Sequence, residues 1–387
     1  MVTARIAIGG GGLSGLYAAF LLEQQGIKDY VLLEARHTIG GRIESMSVSG
    51  VSVSGVCDAS DDPDRFDLGP TWFWPAFQPQ LDRVIRNLGL ERFEQCETGD
   101  MMIERSPHEQ PSRMHGYTTS PRSMRLVGGM GALIDALRRE LSPARLVSDR
   151  QVRHLRCADH HVELDAEDSC GQLTSYCVQY VLLAVPPRLV TATIGFTPAL
   201  PDKLARKWRD TGTWMARHAK YVAVYETPFW RAQGLSGEGR SARGPLSEIH
   251  DASTAHGSAA LFGFFSVPAR VRSAIPDGVL RSHCRTQLTR LFGPQAATPK
   301  AEFIKDWASD PYTANATDLD AIAQHGTAPP TVAKEGVWQG RIAGIASEWS
   351  PQFPGYVAGA IEAASLGVRE LLEVVTPQDR LLSGAIQ

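Results

Sequence analysis

The N-terminal segment holds the pattern that most restricts the fold of this chain. An apolar run from Arg5 to Ile8 is typical of a buried parallel strand; the spacing Gly10-x-Gly12-x-x-Gly15 follows, and apolar residues from Leu16 open a helix. In such a pattern the glycines allow a tight turn, approach of a pyrophosphate to the backbone, and close packing of helix on strand. A second apolar strand ends at Glu34, near the spacing of about 20 residues expected for an acid that binds a ribose hydroxyl. The sequence therefore predicts a site for an adenine dinucleotide.

Length and composition favour an enzyme with two domains. The chain has 387 residues, which exceeds the size at which a single hydrophobic core stops growing. Its formal net charge of −3 gives no electrostatic reason to expect a nucleic acid partner. No apolar run approaches the roughly 18 residues that span a bilayer, so we expect no membrane partner. Because the first strand begins almost at Met1, we expect no signal peptide and a cytoplasmic location. The six cysteines lack the spacing of metal ligands, so we expect no metal site.

The patterns of the nucleotide-binding domain are dispersed along the chain. A strand ends before Pro186, and a strand at 341–347 precedes a helix from Gly355 to Leu372. The intervening sequence holds sheet-like runs at 221–225, 259–265 and 301–307 and a helical pattern at 278–291. Glycine- and serine-rich tracts at 47–55 and 234–244 are typical of exposed loops.

We therefore predict an α/β protein in which a smaller domain interrupts a larger one. The larger domain is Rossmann-like (doubly wound) and comprises residues 1–75, 121–198 and 336–387. The smaller is an α+β substrate-binding domain with an antiparallel sheet and comprises residues 76–120 and 199–335.

Further motifs follow the N-terminal fingerprint along nearly the whole chain. In order they are Glu34-Ala35-Arg36, Gly40-Gly41-Arg42, Asp67-Leu68-Gly69-Pro70-Thr71-Trp72, Leu126-Val127-Gly128-Gly129, Ala184-Val185-Pro186-Pro187, Lys220, Asp306-Trp307, Ser347-Glu348 and Gly355-Tyr356. This series resembles the flavin-containing amine oxidase family, the relatives of monoamine and polyamine oxidases.

The resemblance implies FAD as the cofactor of the larger domain. The residues that would hold its adenosine and pyrophosphate are Gly10, Gly12, Leu13, Ser14, Gly15, Glu34, Ala35, Arg36, Gly40, Gly41 and Arg42, with backbone contacts to adenine from Val152. Those that would lie beside the isoalloxazine are Gly69, Pro70, Thr71, Trp72 and Trp307. Glu348 would bind the ribityl or phosphate region. The helix that begins at Gly355, Tyr356 and Val357 would point N–H groups at the flavin edge that gains negative charge on reduction.

The same resemblance assigns catalytic and substrate residues. Lys220 matches the family lysine that holds a water against the flavin, and desolvation there would lower its pKa. His218 would share the face of Lys220, either as a helper or as a structural residue. Tyr356 matches one wall of an aromatic cage around the substrate amine, whereas the second wall has no counterpart near Ala316. We further predict that Trp74 and Phe77 contact the substrate.

The implied reaction is the oxidation of an amine C–N bond to an imine, which water hydrolyses to an aldehyde or ketone and ammonia, with O2 reduced to H2O2. Because the segment 310–316 lacks the cysteine through which monoamine oxidases attach their flavin, we expect noncovalent FAD. Two alternatives stay open: a flavin-dependent dehydrogenase or desaturase of the same fold acting on a non-amine substrate, and a flavin-binding protein without turnover. The sequence specifies neither the amine nor the oligomeric state.

Overall fold

The structure is a computed structural model that describes residues 1–49, 64–320 and 326–384. The chain divides into two compact units. Unit 1 comprises Met1–Gly41, Ile134–Trp214 and Ala321–Gln387; unit 2 comprises Arg42–Leu133 and Met215–Asp320. Residues 42–75 and 121–133, which the sequence analysis places in the larger domain, belong to unit 2 in this division. The boundaries of the two functional domains stay a prediction.

Unit 1 is built on a parallel sheet whose strands are buried on both faces. Ile8 lies opposite Leu32 on one side and Leu182 on the other. The continuous apolar character of these strands follows from burial on both faces. The strands, in spatial order, are Leu146–Val147, Tyr30–Leu33, Ile6–Gly9, Tyr180–Leu183 and Ile342–Gly344.

A second sheet completes the core of unit 1, and helices cover the parallel sheet. The strands of this sheet, in spatial order, are Val2–Thr3, Leu173–Val178, Val162–Glu167, Gln151–Cys157 and Gly195–Thr197. Val152 and Leu164 from this sheet pack in one core with Ala7 and Leu183 of the parallel sheet. The helices are Leu13–Gln24, Pro187–Thr193, Asp202–Asp210 and Val357–Gly384, with short 3-10 turns at Pro143–Arg145 and Ser347–Trp349. The helix Gly131–Arg139 crosses the division between the units.

Unit 2 is built on a mostly antiparallel sheet. Its strands, in spatial order, are Ala301–Asp306, Ala219–Tyr225, Ala259–Phe265, Leu246–Asp251, Leu235–Ser241, Asp100–Glu104 and Ser112–Met114. Two short ladders pair Ser45–Ser47 with Arg65–Asp67 and Arg92–Glu94 with Met124–Leu126. The helices are Pro79–Asn87, Phe229–Ala232, Ala269–Arg272, Asp277–Phe292 and Ala316–Asp320, with 3-10 turns at Pro294–Ala297 and Trp307–Ser309.

The two faces of this sheet differ in what they contact. Tyr221 and Ala223 pack in a core with Leu288 of the long helix. Val222 points to the opposite face, where it packs with Phe66 and Phe262. Because side chains alternate along a strand, Lys220 shares the face of Val222. Among the described residues no helix is long and apolar enough to cross a membrane.

The expectation of an exposed loop at 234–244 is wrong. Residues Leu235–Ser241 form a strand of the large sheet, and Leu235 is buried. The small residues serve packing, because a Cβ on Gly237 would lie 2.9 Å from Trp230 Nε1 and 3.0 Å from Asp251 Cβ. Most of the other tract, 47–55, lies outside the described residues.

Candidate functional site

The N-terminal glycines of unit 1 form a turn that larger residues cannot form. Gly10 has a φ of +112°, and a Cβ there would lie 2.8 Å from the carbonyl oxygen of Ala184. A Cβ on Gly15 would lie 1.9 Å from the carbonyl oxygen of Gly10. Gly12 caps the helix that starts at Leu13, so the first N–H groups of this helix lie at the loop. The turn thus has the backbone shape and the polarity of a pyrophosphate site.

Glu34 is buried beside this loop with its carboxylate fixed. The Gly11 N–H donates to Oε2 at 2.7 Å and the Arg36 N–H donates to Oε1 at 2.8 Å. The Arg36 guanidinium lies 3.7 Å from Oε1. A carboxylate accepts up to about four hydrogen bonds, so these contacts leave each oxygen able to accept one more. Glu34 therefore fits the role of an acceptor for ribose hydroxyls.

The second glycine motif packs directly against the first. The Gly40 N–H donates to the Gly11 carbonyl at 3.0 Å, and a Cβ on Gly41 would lie 3.0 Å from Gly12 Cα. Both glycines of the second motif have positive φ, +136° and +61°. The two glycine-rich backbones approach each other closely beside the fixed carboxylate of Glu34. Larger residues at the glycine positions would place side chains in this cradle. These residues fit an adenine dinucleotide.

The C-terminal helix of unit 1 starts at a second constrained turn. Gly355 has a φ of +83°, and its N–H donates to Ser347 at 3.1 Å. The Tyr356 carbonyl accepts the N–H of Ala360, so Tyr356 sits at the start of the helix Val357–Gly384. Glu348 is buried in the preceding 3-10 turn. The flavin role of these residues stays a prediction.

Lys220, in unit 2, is buried and held by two oxygen atoms. Its side chain is 2 % exposed, and Nζ donates to Thr71 Oγ1 at 2.6 Å and to the Gly69 carbonyl at 3.2 Å. The ring centroid of Phe262 lies 4.0 Å from Nζ, and that of Phe264 lies 6.0 Å away. An ammonium over an aromatic face gains cation–π stabilisation, but this does not replace the hydration that burial removes.

Burial decides the charge state of Lys220. It lowers the pKa of the lysine to about 7, against the opposing attraction of Asp67. Burial raises the pKa of Asp67 itself, although Ser45 Oγ and the Met130 N–H donate to its Oδ1 at 2.7 and 2.8 Å. The buried Arg125 guanidinium also disfavours charge on the lysine. An amine that titrates near neutral pH can take up or release a proton under working conditions.

Gly69, whose carbonyl accepts from Lys220, lies in close contact with its neighbours. A Cβ there would lie 2.1 Å from the Arg42 carbonyl oxygen and 3.5 Å from the indole of Trp307. The Trp307 N–H donates to the Leu68 carbonyl at 3.1 Å. The predicted residues Gly69, Thr71, Trp307 and Lys220 are therefore brought together within unit 2.

Trp72 belongs to an adjoining charged and aromatic cluster that sequence reasoning missed. Its ring lies 4.8 Å from that of His250 and 5.3 Å from that of Phe262. His250 Nε2 lies 2.7 Å from Glu248 and Nδ1 lies 3.3 Å from Glu238. Burial alone would lower the pKa of His250, but its hydrogen bonds to these two carboxylates outweigh that effect and raise it. The raised pKa favours the imidazolium form, in which both ring nitrogens donate.

The proposed substrate residues differ in their surroundings. Phe77 is 62 % exposed, and Trp74 is partly buried, with its N–H donating to Gln78 Oε1 at 3.1 Å. Their contact with substrate stays a prediction. In unit 1 the ring of Tyr356 packs on that of Trp214, with centroids 5.6 Å apart. No motif in the sequence pointed to Trp214, because its partner is far away along the chain.

Comparison with known proteins decides the family. Residues 103–372 match the model of the family described as flavin containing amine oxidoreductase, and residues 8–88 match a model described as an NAD(P)-binding Rossmann-like domain. The chain belongs to the flavin containing amine oxidoreductase family. The resemblance inferred from the sequence is therefore confirmed. The family is one of flavin-dependent oxidoreductases.

Curated relatives are similar over part of their length. A putrescine oxidase from Kocuria rosea is 28% identical over 269 residues, which are 64% of this chain and 52% of the relative. A probable flavin-containing monoamine oxidase A from Dictyostelium discoideum is 24% identical over 274 residues, 68% of this chain and 55% of the relative. The chain spans about half the length of these relatives.

Solved structures confirm the fold class. A putrescine oxidase carrying three substitutions matches with a TM-score of 0.77 at 20% identity, covering 96% of this chain and 99% of that one. The cyclohexylamine oxidase from Brevibacterium oxydans IH-35A matches with a TM-score of 0.77 at 17% identity and the same coverage. At these identities the similarity shows the fold alone.

Proposed function

We propose that the protein is an FAD-dependent amine oxidase that converts an amine to an imine and passes the electrons to O2, producing H2O2. The observation that carries the proposal is the buried Lys220, fixed by Gly69 and Thr71 in a chain of this family. When bound, FAD supplies the two-electron acceptor for this reaction.

FAD would be held without a covalent bond. The loop Gly10–Gly15 and the fixed carboxylate of Glu34 would bind pyrophosphate and ribose, and the packed pair Gly40-Gly41 would keep side chains out of the cradle. The segment 310–316 offers no thiol for attachment. The helix that starts at Val357 would stabilise negative charge near its N-terminus.

Lys220 would bind a water molecule and would accept or release a proton at Nζ. Two of its hydrogen-bond positions are directed at the Gly69 carbonyl and Thr71 Oγ1, so the remaining position can bind water. With a pKa of about 7, Nζ can accept the proton that a substrate ammonium must lose. When protonated, it would instead stabilise the negative charge that forms as O2 is reduced.

Tyr356 would orient the amine. Its backbone is fixed at the start of the C-terminal helix, and a ring at that place offers an apolar face to the carbon chain of a substrate. Orientation of this kind accelerates the step in which the C–N bond is oxidised.

The test is anaerobic mixing of the FAD-loaded protein with a panel of primary, secondary and diamines, followed by admission of O2 and detection of peroxide. Bleaching of the oxidised flavin band by an amine, and its return with peroxide formation, would support the proposal. Bleaching only by a non-amine substrate would favour a dehydrogenase or desaturase, and no bleaching by any substrate would favour a flavin-binding protein without turnover.

The half-reactions separate the roles of the two residues. We expect Lys220→Met to slow the O2 half-reaction more than the amine half-reaction, and Tyr356→Ala to do the reverse. Lys300→Met, which removes a charge that is 51% exposed and paired with Glu226, serves as the matched control. Equal rates of reoxidation in wild type and Lys220→Met would exclude this role for the lysine.

A further inference from the structure

The contact between Trp214 and Tyr356 assigns a function to a residue that no motif marks. The ring centroids are 5.6 Å apart and the planes are tilted by 32°. Both residues belong to unit 1 and both are partly buried. A separation of about 4.5–7 Å is that of two rings in direct contact.

This distance excludes one arrangement of the substrate. A molecule lying between two rings would need about 7–8 Å between their planes, twice the contact distance of carbon atoms. Trp214 is therefore not the second wall of a cage around an amine. It lies directly against Tyr356 and takes up space beside that ring.

The backbone that carries Trp214 is held from two directions. The preceding helix Asp202–Asp210 is anchored by Trp208, which is fully buried and whose indole N–H donates to the Pro330 carbonyl at 2.7 Å. The Arg188 guanidinium donates to the carbonyls of Arg209 and Asp210 at 2.9 and 3.2 Å, at the end of the same helix.

The same guanidinium also fills the space beside Gly212. A Cβ there would lie 3.2 Å from Arg188 Nη1. Two residues later the chain reaches Trp214. The chain that leads to Trp214 is thus anchored as far as Gly212.

Hydrogen bonds at Gly355 and Ala360 fix the backbone of Tyr356. Packing against the ring of Trp214 acts on the χ angles of the side chain. We propose that Trp214 is a positioning residue that selects the ring orientation of Tyr356 for amine oxidation. This inference rests on the proposed function.

The first arm of the test observes the ring directly, in FAD-loaded protein labelled with fluorotyrosine. The ¹⁹F resonance of Tyr356 is assigned as the one lost in Tyr356→Phe. We expect Trp214→Leu to move this resonance and Trp214→Phe to restore most of the shift. Trp338→Phe, a change at a buried indole that donates to the Pro198 carbonyl, is the control and should leave it in place. A resonance that does not respond to Trp214→Leu overturns the proposal.

The second arm is a double-mutant cycle on the rate of flavin reduction by the best amine of the panel. An aromatic pair of this geometry couples by about 2- to 12-fold. We expect Trp214→Leu to slow reduction by that factor in wild type and to have no further effect in a Tyr356→Leu background. Equal effects in both backgrounds overturn the positioning role. A further outcome separates the two proposals. If no amine reduces the flavin of the wild-type protein while the Tyr356 resonance still moves in Trp214→Leu, the proposed function fails. The positioning role then fails as well, although the contact between the two rings stands.

Discussion

Replacing Lys220 by methionine should remove a contribution to stability that depends on pH. Methionine has a similar length and no charge, so it fills the same space without titrating. In wild type the unfolded chain binds a proton at Lys220 below pH 10.5, whereas the folded protein binds one only below about pH 7. Between these values the unfolded state holds more protons, so wild-type stability rises with pH relative to the variant.

The magnitude follows from the same two pKa values. Lowering the pKa of Lys220 from 10.5 to about 7 corresponds to about 5 kcal/mol of destabilisation, fully present below pH 7 and absent above pH 10.5. Against this, the variant leaves Thr71 Oγ1 and the Gly69 carbonyl without their donor, which costs about 1–3 kcal/mol for each group, or about 2–6 kcal/mol for the two, at every pH. We therefore expect Lys220→Met to be the less stable protein at pH 10.5 and to gain about 5 kcal/mol relative to wild type by pH 6, so that the two curves cross at about pH 9 at the lower of these costs.

The assay is urea unfolding at fixed FAD concentration from pH 6 to pH 10.5, with Lys300→Met as control. The control removes a lysine whose side chain is 51% exposed, so its stability curve should run parallel to that of wild type. Parallel curves for Lys220→Met and wild type would refute the reasoning, because they would mean that Lys220 keeps an ordinary pKa in the folded protein.

Three further outcomes test the cofactor site and its surroundings. Glu34→Ala should weaken FAD binding by about 10- to 150-fold, measured by fluorescence titration, since it removes a charge-assisted acceptor; unchanged affinity would place the ribose contact elsewhere. Acid precipitation should release intact FAD into the supernatant, and colour retained by the pellet would contradict noncovalent binding. His250→Gln should destabilise the protein most below about pH 6.5, the unfolded pKa of histidine, and progressively less as the pH rises through the higher folded pKa. A loss of stability that does not vary with pH would show that His250 is not held as an imidazolium.

Local pattern was enough to predict the framework of the cofactor site. The run Arg5–Ile8, the glycine spacing and Glu34 lie within one βαβ unit, so their positions relative to one another follow from backbone geometry. Alternation along Ala219–Tyr225 likewise separates Lys220 from the core face that carries Tyr221. The same kind of inference failed at 234–244, because Gly237 there makes room for Trp230 within a strand and does not form a loop.

Only the tertiary structure decided which groups surround the predicted residues. Thr71 is 149 positions from Lys220, yet its hydroxyl holds the amine, and burial among such distant partners sets the pKa. Trp214 meets Tyr356 in the same way, through a contact that no spacing in the sequence encodes. The sequence by itself determined the fold family and the glycine turns, because each depends on neighbours along the chain, and it led to the lysine through the family resemblance. The charge state of that lysine and the orientation of the tyrosine depend on neighbours in space, and these exist only once the chain has folded.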